Sequence, residues 1–196
     1  MIGFIRGRLV EKKPPLLLVD VAGIGYEIEV PLSTLYELPE AGQEVALKTH
    51  LLVREDAHVL FGFASDAERS LFRNLLKISG VGARLALAIL SGTSVDGFVR
   101  CVEEKDIGTL IRIPGVGKKT AERLIMEMRD RLQGLGHIPG AGRSGSVTSE
   151  PADEAFGALV ALGYKPAEVT RMIASVDGAD MDTKELIRQI LKQAAR

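Results

Sequence analysis

A chain of 196 residues, 46% of them hydrophobic, is long enough to bury a core and fits one large or two to three small domains. A single cysteine, Cys101, excludes an internal disulfide, and His50, His58 and His137 have no Cys or carboxylate at metal-ligand spacing, so neither a metal nor any other cofactor is expected. A net charge of −1 says nothing about partners as a whole, and no stretch approaches the roughly 20 apolar residues of a membrane span, so a cytoplasmic protein without a membrane partner is expected.

Residues 1–64 read as all-β. Ile2 to Val10, Leu16 to Val21, Gly25 to Val30, Glu44 to Val53 and His58 to Phe63 are strand-length runs of Val, Ile, Leu and aromatics. Pro14-Pro15, Gly23 and Pro39 to Gly42 separate them, and Leu32 to Leu38 reads as one or two helical turns. Five strands in about sixty residues suit a small closed barrel of the OB type. The tip between the last two strands is Arg54-Glu55-Asp56-Ala57. Adjacent carboxylates there read as a solvated turn, or as a weak chelate lacking a third ligand.

At Ser65 the period changes from two to 3.6, and Ser65 with Glu68 forms a capping-box pattern. Helices are predicted over Ser65 to Ile78, Gly82 to Leu90, Ser94 to Glu103, Asp106 to Ile111 and Gly117 to Leu132, with Cys101, Met126 and Met128 as packing residues. Residues 65–133 carry 12 Lys and Arg against 9 Asp and Glu, whereas residues 1–64 carry 6 against 9 and residues 151–196 carry 6 against 7. Attraction to phosphate is therefore expected to be local to this segment.

That segment contains a repeat. Leu75 to Leu90, LLKISGVGARLALAIL, returns 35 positions later as Leu110 to Ile125, LIRIPGVGKKTAERLI, with six of sixteen positions identical. Each copy reads as helix, Gly-Val-Gly turn and helix. The glycines, Gly80 and Gly82, Gly115 and Gly117, permit positive φ and leave no Cβ between a ligand and the backbone. Val81 and Val116 would pin the turns inward. Outside, free amides at the start of the following helix make an anion site, with Arg84, Lys118, Lys119 and Thr120 beside it. The unit resembles the helix-hairpin-helix motif, which grips the DNA backbone without reading bases. A P-loop is excluded, because Arg112 stands where its first glycine belongs and Lys119 follows Gly117-Lys118. The plainer reading is that the turns are only connectors.

Residues 134–150 hold five Gly, three Ser and one Pro, and read as a flexible linker spanning roughly 20–25 Å as a coil. Pro151 to Tyr164, Pro166 to Val176 and Thr183 to Ala195 then read as three short helices. The segment ALVALGYKPAEV resembles ubiquitin-associated-type modules that grip partner proteins, with Leu159, Leu162 and Tyr164 as candidate contacts.

The expected class is α+β: an OB-fold barrel (1–64), a tandem helix-hairpin-helix domain (65–133), the linker and a three-helix module (151–196). Together with MIGFIRGRLVEKKPP, YELPEAGQEV and VREDAH, this order resembles the RuvA family of Holliday-junction-binding subunits of the bacterial branch-migration machinery. The resemblance implies a homotetramer that spreads four-way junction DNA flat, with Glu55 and Asp56 as an acidic pin at the crossing. It also implies a non-catalytic role in recombination and repair, with residues 151–196 binding the ATPase RuvB. Contact with a RuvC-type resolvase, and two tetramers on one junction, stay open. Two other classes remain at this stage: a helix-hairpin-helix base-excision enzyme using a basic residue such as Lys119, and an interaction scaffold.

Overall fold

The computed structural model describes residues 1–135, 151–164, 166–176 and 181–194, so most of the predicted linker lies outside the described residues. The chain forms two compact units, one holding Met1–Asp130 and the other the helices after residue 150.

Five strands, β1 (Phe4–Lys13), β2 (Leu16–Val21), β3 (Ile24–Glu29), β4 (Glu44–Val53) and β5 (His58–Phe63), close into a barrel in the order β1-β2-β3-β5-β4. All pairs are antiparallel except β3 with β5, which meet in parallel at Glu29 and Phe61 and close the cylinder. Ile5, Leu9, Leu17, Val19, Ile28, Val45 and Leu47 alternate inward and fill it. The strand β1 runs three residues past the predicted Val10, because Glu11, Lys12 and Lys13 pair with Leu18, Leu17 and Leu16 after a register shift beyond Leu9. Those residues are charged, so hydrophobicity alone ended the strand too early.

The short helix α1 (Leu32–Glu37) caps the barrel, and α2 (Asp66–Leu75), α3 (Ala83–Gly92), α4 (Val95–Glu103), α5 (Ile107–Ile111) and α6 (Lys118–Leu135) follow. The capping box forms by half. Ser65 Oγ accepts from the Glu68 amide at 3.1 Å, but the Glu68 carboxylate turns into the barrel junction instead. There it accepts from Ser33 Oγ at 2.5 Å, Thr34 Oγ1 at 2.7 Å and the Ala64 amide at 3.1 Å. A buried carboxylate is tolerated only with such a full set of donors, and this one ties α1, the exit of β5 and α2 together. Phe72 of α2 adds ring contacts at 4.9 Å to both Phe61 and Phe63. The barrel and the helical segment up to Asp130 fall within one compact unit, joined by these contacts.

Cys101 and Met128 are buried, as predicted for packing, and burial pushes the Cys101 thiol up. Met126 is 63% exposed, which corrects its assignment to the core: it stands two residues before Met128, on the opposite side of α6. The helix α6 also continues to Leu135, past the predicted end at Leu132.

In the second unit α7 (Pro151–Ala161), α8 (Pro166–Ala174) and α9 (Thr183–Ala194) enclose Ala155, Leu159, Val169, Leu186 and Ile190. Helix α7 ends in a Schellman cap: Gly163 has φ +101, its amide donates to Val160 O, and the Tyr164 amide donates to Leu159 O. Among the described residues no single helix is long and apolar enough to cross a membrane.

Candidate nucleic-acid interface

The two repeats fold alike bond for bond. The Val81 amide donates to Ile78 O at 3.0 Å, and the Val116 amide to Ile113 O at 3.0 Å. Gly80 has φ +85 and Gly115 has φ +88, a region where a side chain is strained. Ile78, Val81 and Ala86 are buried, as are Ile113, Val116 and Ala121. Apart from Gly82 and Gly117, the identical positions are therefore those that fold the turn, and the valines contribute to any ligand only through their backbone.

The second glycine of each turn behaves differently from the expectation. Gly82 has φ −89 and ψ 173, an ordinary extended conformation, and Gly117 also lies outside the left-handed region. A Cβ built on either meets nothing within 4 Å. Neither backbone conformation nor packing requires a glycine at these two positions, and both leave the backbone open to an outside group.

Each of these glycines also leads into a helix. Ser65, Ser94 and Asp106, which begin α2, α4 and α5, each accept a hydrogen bond from their own first turn. Gly82 supplies no such side-chain cap to α3, and the first closure is the Ala86 amide on Gly82 O at 2.9 Å. Helix α6 begins the same way, with the Ala121 amide on Gly117 O at 2.9 Å. The preceding first-turn amides have no intrahelical acceptor and carry the positive end of the helix dipole. Arg84, Lys118 and Lys119 are exposed beside them and Thr120 is half-buried. Both helix starts thus lack a side-chain cap, with Arg84 beside the first and Lys118 and Lys119 beside the second.

The hairpins are locked to each other. Arg123, on the second helix of the second hairpin, donates from Nη1 to Ser79 O at 2.9 Å, next to Gly80. In return, Leu85 of the first hairpin reaches the turn of the second, its Cδ1 lying 3.3 Å from where a Gly115 Cβ would be. Sequence reasoning missed Arg123, whose partner is a backbone carbonyl with no signature in the residue pattern.

The acidic tip is a tight turn closed by the Arg54 amide on Ala57 O at 2.9 Å, with Glu55 and Asp56 exposed. Asp56 shares a groove of about 470 Å³ with Gly82, Ala83 and Arg84, so the structure brings the tip to the mouth of the first hairpin.

In the three-helix unit the candidate contacts separate. Leu159 is fully buried, which corrects its reading as a partner contact: its side chain is core and its carbonyl holds the cap of α7. Tyr164 packs half-buried against the same core, and Leu162 stands 63% exposed.

A closed five-stranded barrel joined to paired hairpins that present open amides defines a DNA-binding protein of the tandem helix-hairpin-helix class. Residues 1–62 match the family model described as RuvA N terminal domain, residues 72–130 the SAM-like Helix-hairpin-helix tandem, and residues 150–195 the RuvA, C-terminal domain. Curated relatives include proteins of Thioalkalivibrio sulfidiphilus (55% identical over 200 residues, 98% of each chain), Methylococcus capsulatus (55% over 201 residues, 100% of each) and Pseudomonas aeruginosa (52% over 198 residues, 98% of each). Each is named Holliday junction branch migration complex subunit RuvA. The chain belongs to the RuvA family.

Proposed function

We propose that this chain is the junction-binding, non-catalytic subunit of a Holliday junction branch migration complex. The observation that carries the reading is the pair of glycines, Gly82 and Gly117, that the fold does not need and that leave two sets of helix-start amides open to a phosphate. Gly80 to Arg84 and Gly115 to Thr120 hold the sugar-phosphate backbone, so binding follows DNA shape rather than sequence. A homotetramer presents these hairpins to the four arms of a junction, and Glu55 and Asp56 stand at the crossing. Each carboxylate repels a phosphate a few ångströms away by about 1 kcal/mol in water and several times that near a protein surface, which keeps the strands apart. Leu162 and the exposed part of Tyr164 lie on the module that recruits the RuvB ATPase, which supplies the ATP hydrolysis.

The test is a gel shift of the full chain on a four-way junction against a linear duplex of the same length, with a mass measurement in solution. A strong preference for the junction by a tetramer is expected, and equal binding to both DNAs overturns the reading. Replacing Glu55 and Asp56 by Asn is expected to spare junction binding and reduce that preference. Removal of residues 151–196 is expected to abolish stimulation of RuvB while leaving junction affinity intact.

A further inference from the structure

We infer that Glu29 is an internal competitor for Arg84 and that it sets how tightly the first hairpin holds a phosphate; the inference rests on the hairpin reading above.

Two grooves flank that hairpin. One, of about 510 Å³, runs between it and the Pro14-Pro15 turn of the barrel; the other, of about 470 Å³, separates it from the acidic tip. The only residues lining both are Glu29 and Arg84. Glu29 is the last residue of β3, and its backbone is fixed where β3 meets Phe61 of β5 at the barrel seam. Glu29 is half-buried where it lines the two grooves, whereas Arg84 is exposed on a long, flexible stem at the first turn of α3. Neither takes part in the ion pairs found among the described residues, which join Lys13 with Glu11, and Lys48 and Arg69 with Asp66.

Charge in the groove beside the tip is balanced, with Glu29 and Asp56 against Arg54 and Arg84. A phosphate arriving at the amides of α3 therefore meets a guanidinium that shares both of its grooves with a carboxylate. Glu29 and the phosphate draw on the same cation. The consequence is a damped grip that releases its phosphate sooner than the amides and an unopposed arginine would.

The experiment is a double-mutant cycle of Glu29→Gln and Arg84→Gln in the full chain. Its readouts are junction and duplex affinity by fluorescence anisotropy and dissociation by stopped flow, with thermal melts as the check on folding. Glu29→Gln is expected to bind about two- to fivefold tighter, the range of an exposed charge contact, mainly through slower release. The gain is expected to shrink at high salt and to vanish in the Arg84→Gln background. Glu29→Ala is expected to act with the same sign, so a folding fault peculiar to one variant is separable. If Arg84→Gln alone leaves binding unchanged, the hairpin reading itself fails and this inference with it. If Arg84→Gln weakens binding but Glu29→Gln is neutral, or gains equally without Arg84, the hairpin reading stands and the competition is overturned.

Discussion

The two hairpins share a backbone and differ in what surrounds it. Residues 75–90 and 110–125 repeat the same turn hydrogen bonds, the same left-handed glycine and the same buried valine. Around that frame the first hairpin carries one cation, Arg84, in a groove shared with Glu29 and Asp56, whereas the second carries adjacent exposed lysines, Lys118 and Lys119. The comparison separates two kinds of residue. The apolar positions and the left-handed glycines build the shared turn, and on the proposed reading the charged positions beside it set how strongly it holds a phosphate.

Changes at the open glycines test that separation most severely. Gly117→Ala places a Cβ where nothing lies within 4 Å, so the melting temperature is expected to change little. Junction affinity is expected to fall by about 10- to 100-fold, on the order of 1.4–2.7 kcal/mol, because the side chain stands where the phosphate must approach. Gly80→Ala and Gly115→Ala are expected to do the reverse. Their strained φ should cost about 1–2 kcal/mol of stability each, read from chemical denaturation, with binding lost only in proportion to unfolding.

Smaller effects follow from the charges. Lys118→Ala with Lys119→Ala is expected to lower the salt dependence of junction binding by a slope of about one per lost contact, and Arg84→Ala by less, since part of its charge is already answered by Glu29. Equal slopes for all three residues would remove the difference between the hairpins.

The smallest effect lies away from the interface, at His50. Burial, then Arg73 and Arg69, hold its pKa below the ordinary 6.5, and Arg73 Nε donates to its Nδ1 at 3.3 Å. The folded state thus resists the proton more than the unfolded chain does. Stability is unaffected above about pH 6.5 and falls as the pH drops through the window just beneath it. Thermal melts at pH 7.5 and 5.5 are expected to show a smaller decline for His50→Gln than for the parent chain.

Much of this architecture is legible in the residues because local signals and tertiary packing agree there. Strands β2, β4 and β5 begin and end where their apolar runs do, and the repeat announces both hairpins through the positions that the turn requires. The failures share a cause. Glu68 reads as a helix cap but is claimed by Ser33, Thr34 and Ala64 from across the barrel, and Leu159 reads as one of several apolar residues on a stripe. Which of them faces inward is decided by α8 and α9, not by α7 alone. Arg123 and Glu29 are invisible for the same reason: their significance lies in a neighbour roughly 40 to 55 positions away in the chain, Ser79 for one and Arg84 for the other.

The exchange of supports between the hairpins, Arg123 reaching Ser79 and Leu85 reaching Gly115, makes the pair behave as a calliper locked at one opening. A change at Arg123 is therefore felt at the turn of the first hairpin, and a change at Leu85 at the turn of the second. On the proposed reading, a pair held at one spacing follows the rails of the duplex and not what is written between them.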